Sequence, residues 1–180
     1  MSLLEIVRNS DEWLMAKCRL SPVYANRTGE NHFNHVVQGV AILGALPNVD
    51  IRTAKAFCLH PLLQSDEMLK ENALFLDGLD PVAVALAMEY RWVANAGTRR
   101  KDYRSVKITL PEIEQMLIAD KVQNAMVFHE KYPMPDSSGP YKEYEEYLSL
   151  GDYFDWWLDK LNIDGHEYDR LVRVAKSVSY

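Results

Sequence analysis

The chain has 180 residues, of which 48% are apolar and 26% charged, an ordinary globular composition that excludes disorder and can build one core without disulfides. Its formal net charge of -6 argues against DNA or RNA as a general partner, although a local basic patch would still suit a small phosphorylated ligand. Cys18 and Cys58 are too few for a disulfide framework, no apolar run approaches the roughly 18 residues of a membrane span, and the start of the chain lacks a basic and apolar leader, so a single cytoplasmic domain over residues 1–180 is expected, with no membrane partner.

From Leu3 to Leu20 the apolar residues recur at near-helical spacing, and Ser10-Asp11 has the form of a cap that splits the segment in two. Ser21-Pro22 ends it, and Asn26-Arg27-Thr28-Gly29 reads as a turn that delivers the chain to His32 and His35. Positions 34–46 predict a buried helix closed by Pro47, and Asp50 caps the next one, with Ile51, Ala54, Phe57 and Cys58 on one side. Pro61 has no backbone donor and disfavours helical geometry in the residue before it, so that helix is expected to end or kink at His60. A restart is expected at Ser65 or Asp66.

Asp80-Pro81 is a helix start, and Val82 to Val93 is strongly apolar. Arg99, Arg100, Lys101, Arg104 and Lys107 then form the one basic concentration in an acidic chain. Thr109-Leu-Pro-Glu112 has the spacing of a capping box and opens a helix to about Glu130, on which Asp120 and Asn124 share a face. Pro133 to Pro140 is a loop by composition, and Tyr141 to Tyr180 is helical by pattern, rich in Tyr, Trp, Asp and Glu. The expected fold is all-α, with at most a short β-hairpin near the basic segment. The aromatic carboxy-terminal region is a candidate surface for a second copy or a protein partner.

The stretches around His32, His35, His60 and Asp120 offer imidazoles and a carboxylate beside apolar helical runs, a donor set that suits Mn, Fe, Zn or Co better than Mg or Ca. Spacing alone does not make a site of them, because scattered His and Asp occur in any chain of this size. The surrounding letters add more. Arg27-Thr-Gly-Glu-x-x-Phe-x-His35, His60 after Ala-Phe-Cys-Leu, Ile118-Ala-Asp-Lys-Val-Gln-Asn124 and the late Tyr153-Phe-Asp-Trp156 together resemble the hydrolase domain of the RelA/SpoT family, a branch of the HD superfamily. Its stand-alone members, the small alarmone hydrolases and the metazoan SpoT homologue, are similar in size.

The resemblance covers most of the chain and implies an HD-superfamily helical bundle that takes a purine nucleotide carrying pyrophosphate, such as guanosine tetraphosphate. It implies a divalent metal, manganese first, on His35, His60 and Asp120, with Arg27, Arg99, Arg100, Lys101, Arg104 and Asn124 at the nucleotide. Arginine would offer phosphate oxygens bidentate geometry. The departures bear on the chemistry. Pro61 stands where the family's HD pair has its Asp, and Gln64 and Ser65 stand where it has the Glu-Asp pair credited with activating water. Asp66 is the nearby acid left as a substitute base, one residue further along and so aimed elsewhere on a helix. Water activation needs a strong metal or a nearby base, so pyrophosphohydrolase activity is expected to be weakened or lost. An active metal-dependent hydrolase and an interaction module that kept only the scaffold are the alternatives.

Overall fold

The structure is a computed structural model that describes residues 1–25, 28–100, 106–132, 134 and 141–180, with backbone alone for 96–100 and 141–144. The described residues are overwhelmingly helical, in the order α1 Leu3–Val7, α2 Asp11–Leu20, α3 His32–Ala45, α4 Ile51–Leu63, α5 Asp66–Asn72, a 3-10 turn Ala73–Phe75, α6 Pro81–Arg100, α7 Pro111–Lys131, α8 Tyr141–Lys160 and α9 Gly165–Lys176. No sheet occurs among them; one isolated antiparallel bridge pairs Tyr24 with Asn31. Residues 106–110, which follow the basic segment, carry no strand, and 101–105 lie outside the described residues. No helix of the described residues is long and apolar enough to cross a membrane.

The start signals work as capping chemistry requires. Ser10 accepts from the Trp13 amide, Asn31 from Phe33 and Asn34, Asp50 from Arg52, Ser65 from Met68 and Asp164 from Glu167, each satisfying an amide that the first helical turn leaves free. Two expectations need correction. Thr109 and Glu112 do not form a capping box; α7 begins with Leu110 at its cap, no side-chain cap bond, and Pro111 in the first turn, where a missing amide costs nothing. The helix carrying His60 does not stop there, since α4 runs through Pro61 to Leu63.

Helix α3 lies in the middle of the core, its Phe33, Val36, Val37, Val40, Ile42 and Leu43 fully buried between α1, α2, α4, α7 and α9. Helix α4 packs most extensively on α6, with His60 against Tyr90. Gly39 is what lets α3 meet α4 so closely: a Cβ at that position would fall inside the Phe57 ring. The aromatics of the carboxy-terminal third turn largely inward. Trp157 is fully buried, and Tyr153, Phe154 and Trp156 are half-buried. This packing places the start of α3, the end of α4 and the middle of α7 side by side.

Candidate metal centre

Three side chains from three helices converge there. His35 comes from the first turn of α3, His60 from the last turn of α4 and Asp120 from the middle of α7. His35 Nε2 lies 3.1 Å from His60 Nε2, and Asp120 Oδ1 lies 3.4 Å from the first and 3.5 Å from the second. The sequence-predicted metal set is therefore a compact triangle of ligand atoms.

The far side of each imidazole decides what faces the centre. His35 Nδ1 is 2.5 Å from Gln123 Oε1, and His60 Nδ1 is 2.6 Å from the Phe57 carbonyl. Each of those oxygens can only accept, so each Nδ1 carries the proton and each Nε2 turns a lone pair inward. Gln123 is itself oriented by its amide, which donates to Gln38 Oε1 at 3.0 Å. The carbonyl that holds His60 is available because of Pro61. In an unbroken helix the amide of residue 61 would donate to the oxygen of residue 57, and proline has no such hydrogen.

Asp120 is held as firmly. Asn124 donates to Oδ1 at 2.9 Å, and the buried Lys121 ammonium lies 2.7 Å from Oδ2. Burial, then the Asp120 charge, pushes the Tyr90 hydroxyl well above its usual pKa. Burial alone would raise the Asp120 carboxyl, but the Lys121 ammonium beside it holds it well below the usual carboxylate range. Burial would lower the Lys121 ammonium, yet Asp120 raises it, and the side chain lies over the rings of Tyr153 and Trp157. Burial, then the proximity of His60, pushes His35 down to about 4 against the pull of Asp120.

With both Nδ1 atoms committed outward, the two Nε2 atoms and a carboxylate oxygen thus face one another as acceptors. Such a cluster is relieved by a cation. Donor atoms that share one first-row ion at about 2.1 Å sit roughly 3.0–3.4 Å apart, depending on geometry, and the observed separations fall close to that range. Two neutral imidazoles and one carboxylate suit Mn, Fe, Co or Zn, so the residues present fit the metal that the sequence implies.

A cavity of about 530 Å³ opens over this centre. Its lining combines polar Glu30, His32, Gln64 and Asn124 with apolar Pro61, Met68, Val127, Phe128, Leu150 and Phe154. Glu30 is buried, accepts from Asn34 and is paired with Lys131. Gln64 donates to Asn95 Oδ1 at 2.8 Å, and the Asn95 amide returns the bond to the Gln64 carbonyl at 2.9 Å. His32 is half-buried, and burial lowers its pKa, which keeps it neutral at pH 7.

Of the other sequence-predicted residues, Asn124 is at the site. Asp66 is not among the lining residues: it opens α5, exposed, in an ion pair with Arg91. Arg27, Lys101 and Arg104 lie outside the described residues, and of Arg99 and Arg100 only their place at the end of α6 is described. Sequence reasoning missed Gln38, Gln123, Lys121 and Tyr90. Gln38 had a visible signal, a polar side chain inside the apolar run of α3 that must find a partner once buried.

Fold and site together define an all-helical chain with a two-histidine, one-carboxylate cluster among the residues that line a cavity. Compared with known protein families, curated proteins and solved structures, the chain matches none.

Proposed function

We propose that this protein is a RelA/SpoT-like HD-fold nucleotide-binding protein. It holds a divalent transition metal on His35, His60 and Asp120 and takes a purine nucleotide bearing pyrophosphate, guanosine tetraphosphate being the reference ligand. The observation that carries the reading is the triangle of inward-facing acceptors, with both Nδ1 protons committed outward. The cavity supports it as well, since its lining brings the metal-binding residues together with the aromatic rings of Phe128 and Phe154, which suits a ligand that carries both phosphate and a flat ring.

Bound there, the metal would supply Lewis acidity toward a phosphoryl oxygen and lower the pKa of water. The chain's own residues orient and neutralise rather than move protons. His35 and His60 present lone pairs, Asn124 fixes Asp120, and Lys121 balances its charge. Among the described lining residues the carboxylates are Glu30 and Asp120, and both are engaged, while Gln64 is tied to Asn95. Ligand binding with hydrolysis weakened or lost is therefore the preferred form. Active hydrolysis is the second reading, favoured by His32, a neutral imidazole lining the cavity that can accept a proton from water.

Calorimetry of the Mn-loaded protein with guanosine tetraphosphate tests this. Binding that EDTA or Asp120→Ala abolishes, with no product released, is the expected result. Product released faster than by Asp120→Ala selects the active form, and no binding by any purine nucleotide, with or without Mn, overturns the proposal.

A further inference from the structure

The charge balance at the centre carries a consequence of its own. Asp120 supplies the cluster's one negative charge, and the buried ammonium of Lys121, 2.7 Å from its second oxygen, cancels it. The imidazoles contribute none in the tautomers fixed by Gln123 and Phe57. The other lining carboxylate, Glu30, is cancelled in the same way by Lys131. A divalent ion would therefore enter a largely desolvated pocket whose described residues return no net negative charge, and an uncompensated buried charge is expensive.

We propose that Lys121 makes this centre take up metal and a diphosphate-type anion together, the anion supplying the negative charge that the protein withholds. This rests on the metal-site reading above and deepens it by assigning the ligand the role of metal co-ligand. Linkage makes the effect reciprocal: the anion strengthens metal binding by the same factor by which metal strengthens anion binding. Lys121 acts through Asp120 and is a positioning and charge-setting residue. Its ammonium also lies over the rings of Tyr153 and Trp157, with Nζ 5.4 Å and 5.3 Å from their centroids.

Equilibrium dialysis against Mn, with and without methylenediphosphonate as an unhydrolysable diphosphate, reads the coupling by metal and phosphorus analysis of the protein compartment. At equal total Mn, the wild-type protein is expected to retain at least tenfold more metal when the diphosphonate is present, with one phosphonate ligand per metal. A free chelator that formed no ternary complex would strip the metal instead, and that result, or equal retention in both conditions, overturns the inference while leaving the metal-site reading intact. No metal and no phosphonate retained in either condition overturns both.

Two variants separate the charge argument from a merely structural role. Lys121→Met removes the charge while keeping an unbranched side chain of similar length and should bind Mn alone about tenfold more tightly, losing most of the dependence on the diphosphonate. Pro61→Asp adds a carboxylate on the cavity lining beside His60 without touching Lys121 and should do the same, whereas Pro61→Ala, which restores the backbone amide but no charge, should not. Unchanged coupling in a folded Pro61→Asp protein overturns the inference.

Discussion

At the scale of single residues, the site is a matter of where protons sit. Gln123→Leu would leave the His35 Nδ1–H without its acceptor and free the ring to turn. Such outer partners commonly matter by 10–100-fold, so Mn retention in the presence of diphosphonate should fall by about that factor in a protein with unchanged circular dichroism. His35 also makes a stability prediction. Its pKa is about 4 in the folded chain against 6.5 as a free side chain, so between those values the unfolded chain binds more protons. The stability that follows is complete above about pH 6.5 and is lost as pH falls toward 4, to a total of about 3 kcal/mol. Urea denaturation of the metal-free protein at several pH values should show that slope, and His35→Asn should flatten it. That residues 35, 60 and 120 come together was legible in the letters, through a resemblance that grouped them. The Gln38–Gln123 relay and the Lys121 ion pair were not, because they depend on which faces of α3 and α7 meet.

At the scale of elements, the helix that carries His60 teaches more than the ones whose caps were plain. Proline was expected to stop or bend it, on the ground that proline breaks the ladder of amide bonds. The ladder is indeed broken at Phe57, but His60 fills the gap with its own ring, and the buried packing of Leu62 and Leu63 carries α4 onward. The expected stop at His60 is overridden by a tertiary gain that no window of sequence displays. The α3–α4 contact is similarly exacting. Gly39→Ala would push into Phe57, whose ring lies against both His35 and His60 with centroids 5.7 Å and 4.4 Å away. It should destabilise the protein by about 1–3 kcal/mol and weaken metal binding as well. Gly44→Ala meets only Leu3 Cβ at 3.4 Å and serves as the control, with a change within about 1 kcal/mol and an intact site. Equal losses in the two variants would show that helix α3 responds to the added methyl group and not to the ring beside it.

At the scale of the whole molecule, the all-helical class followed from periodicity and caps, because amphipathic runs and start signals are local. What periodicity could not supply was the mutual packing of three helices distant in sequence, and that is where a bound ion would act. One ion held by α3, α4 and α7 ties together segments 25 and 60 positions apart, and anything that binds only the folded chain stabilises it by mass action. With Mn and methylenediphosphonate together at about 100 times their apparent Kd, the gain is about 2.7 kcal/mol, which for a chain of this length raises Tm by about 5–10 °C. Mn alone at the same concentration should give a much smaller rise, since the centre then lacks its balancing anion, and Asp120→Ala should abolish both. A scan in which Tm is indifferent to Mn, Co and Zn, with the diphosphonate present, would mean that the three acceptors are reconciled by protons rather than by an ion.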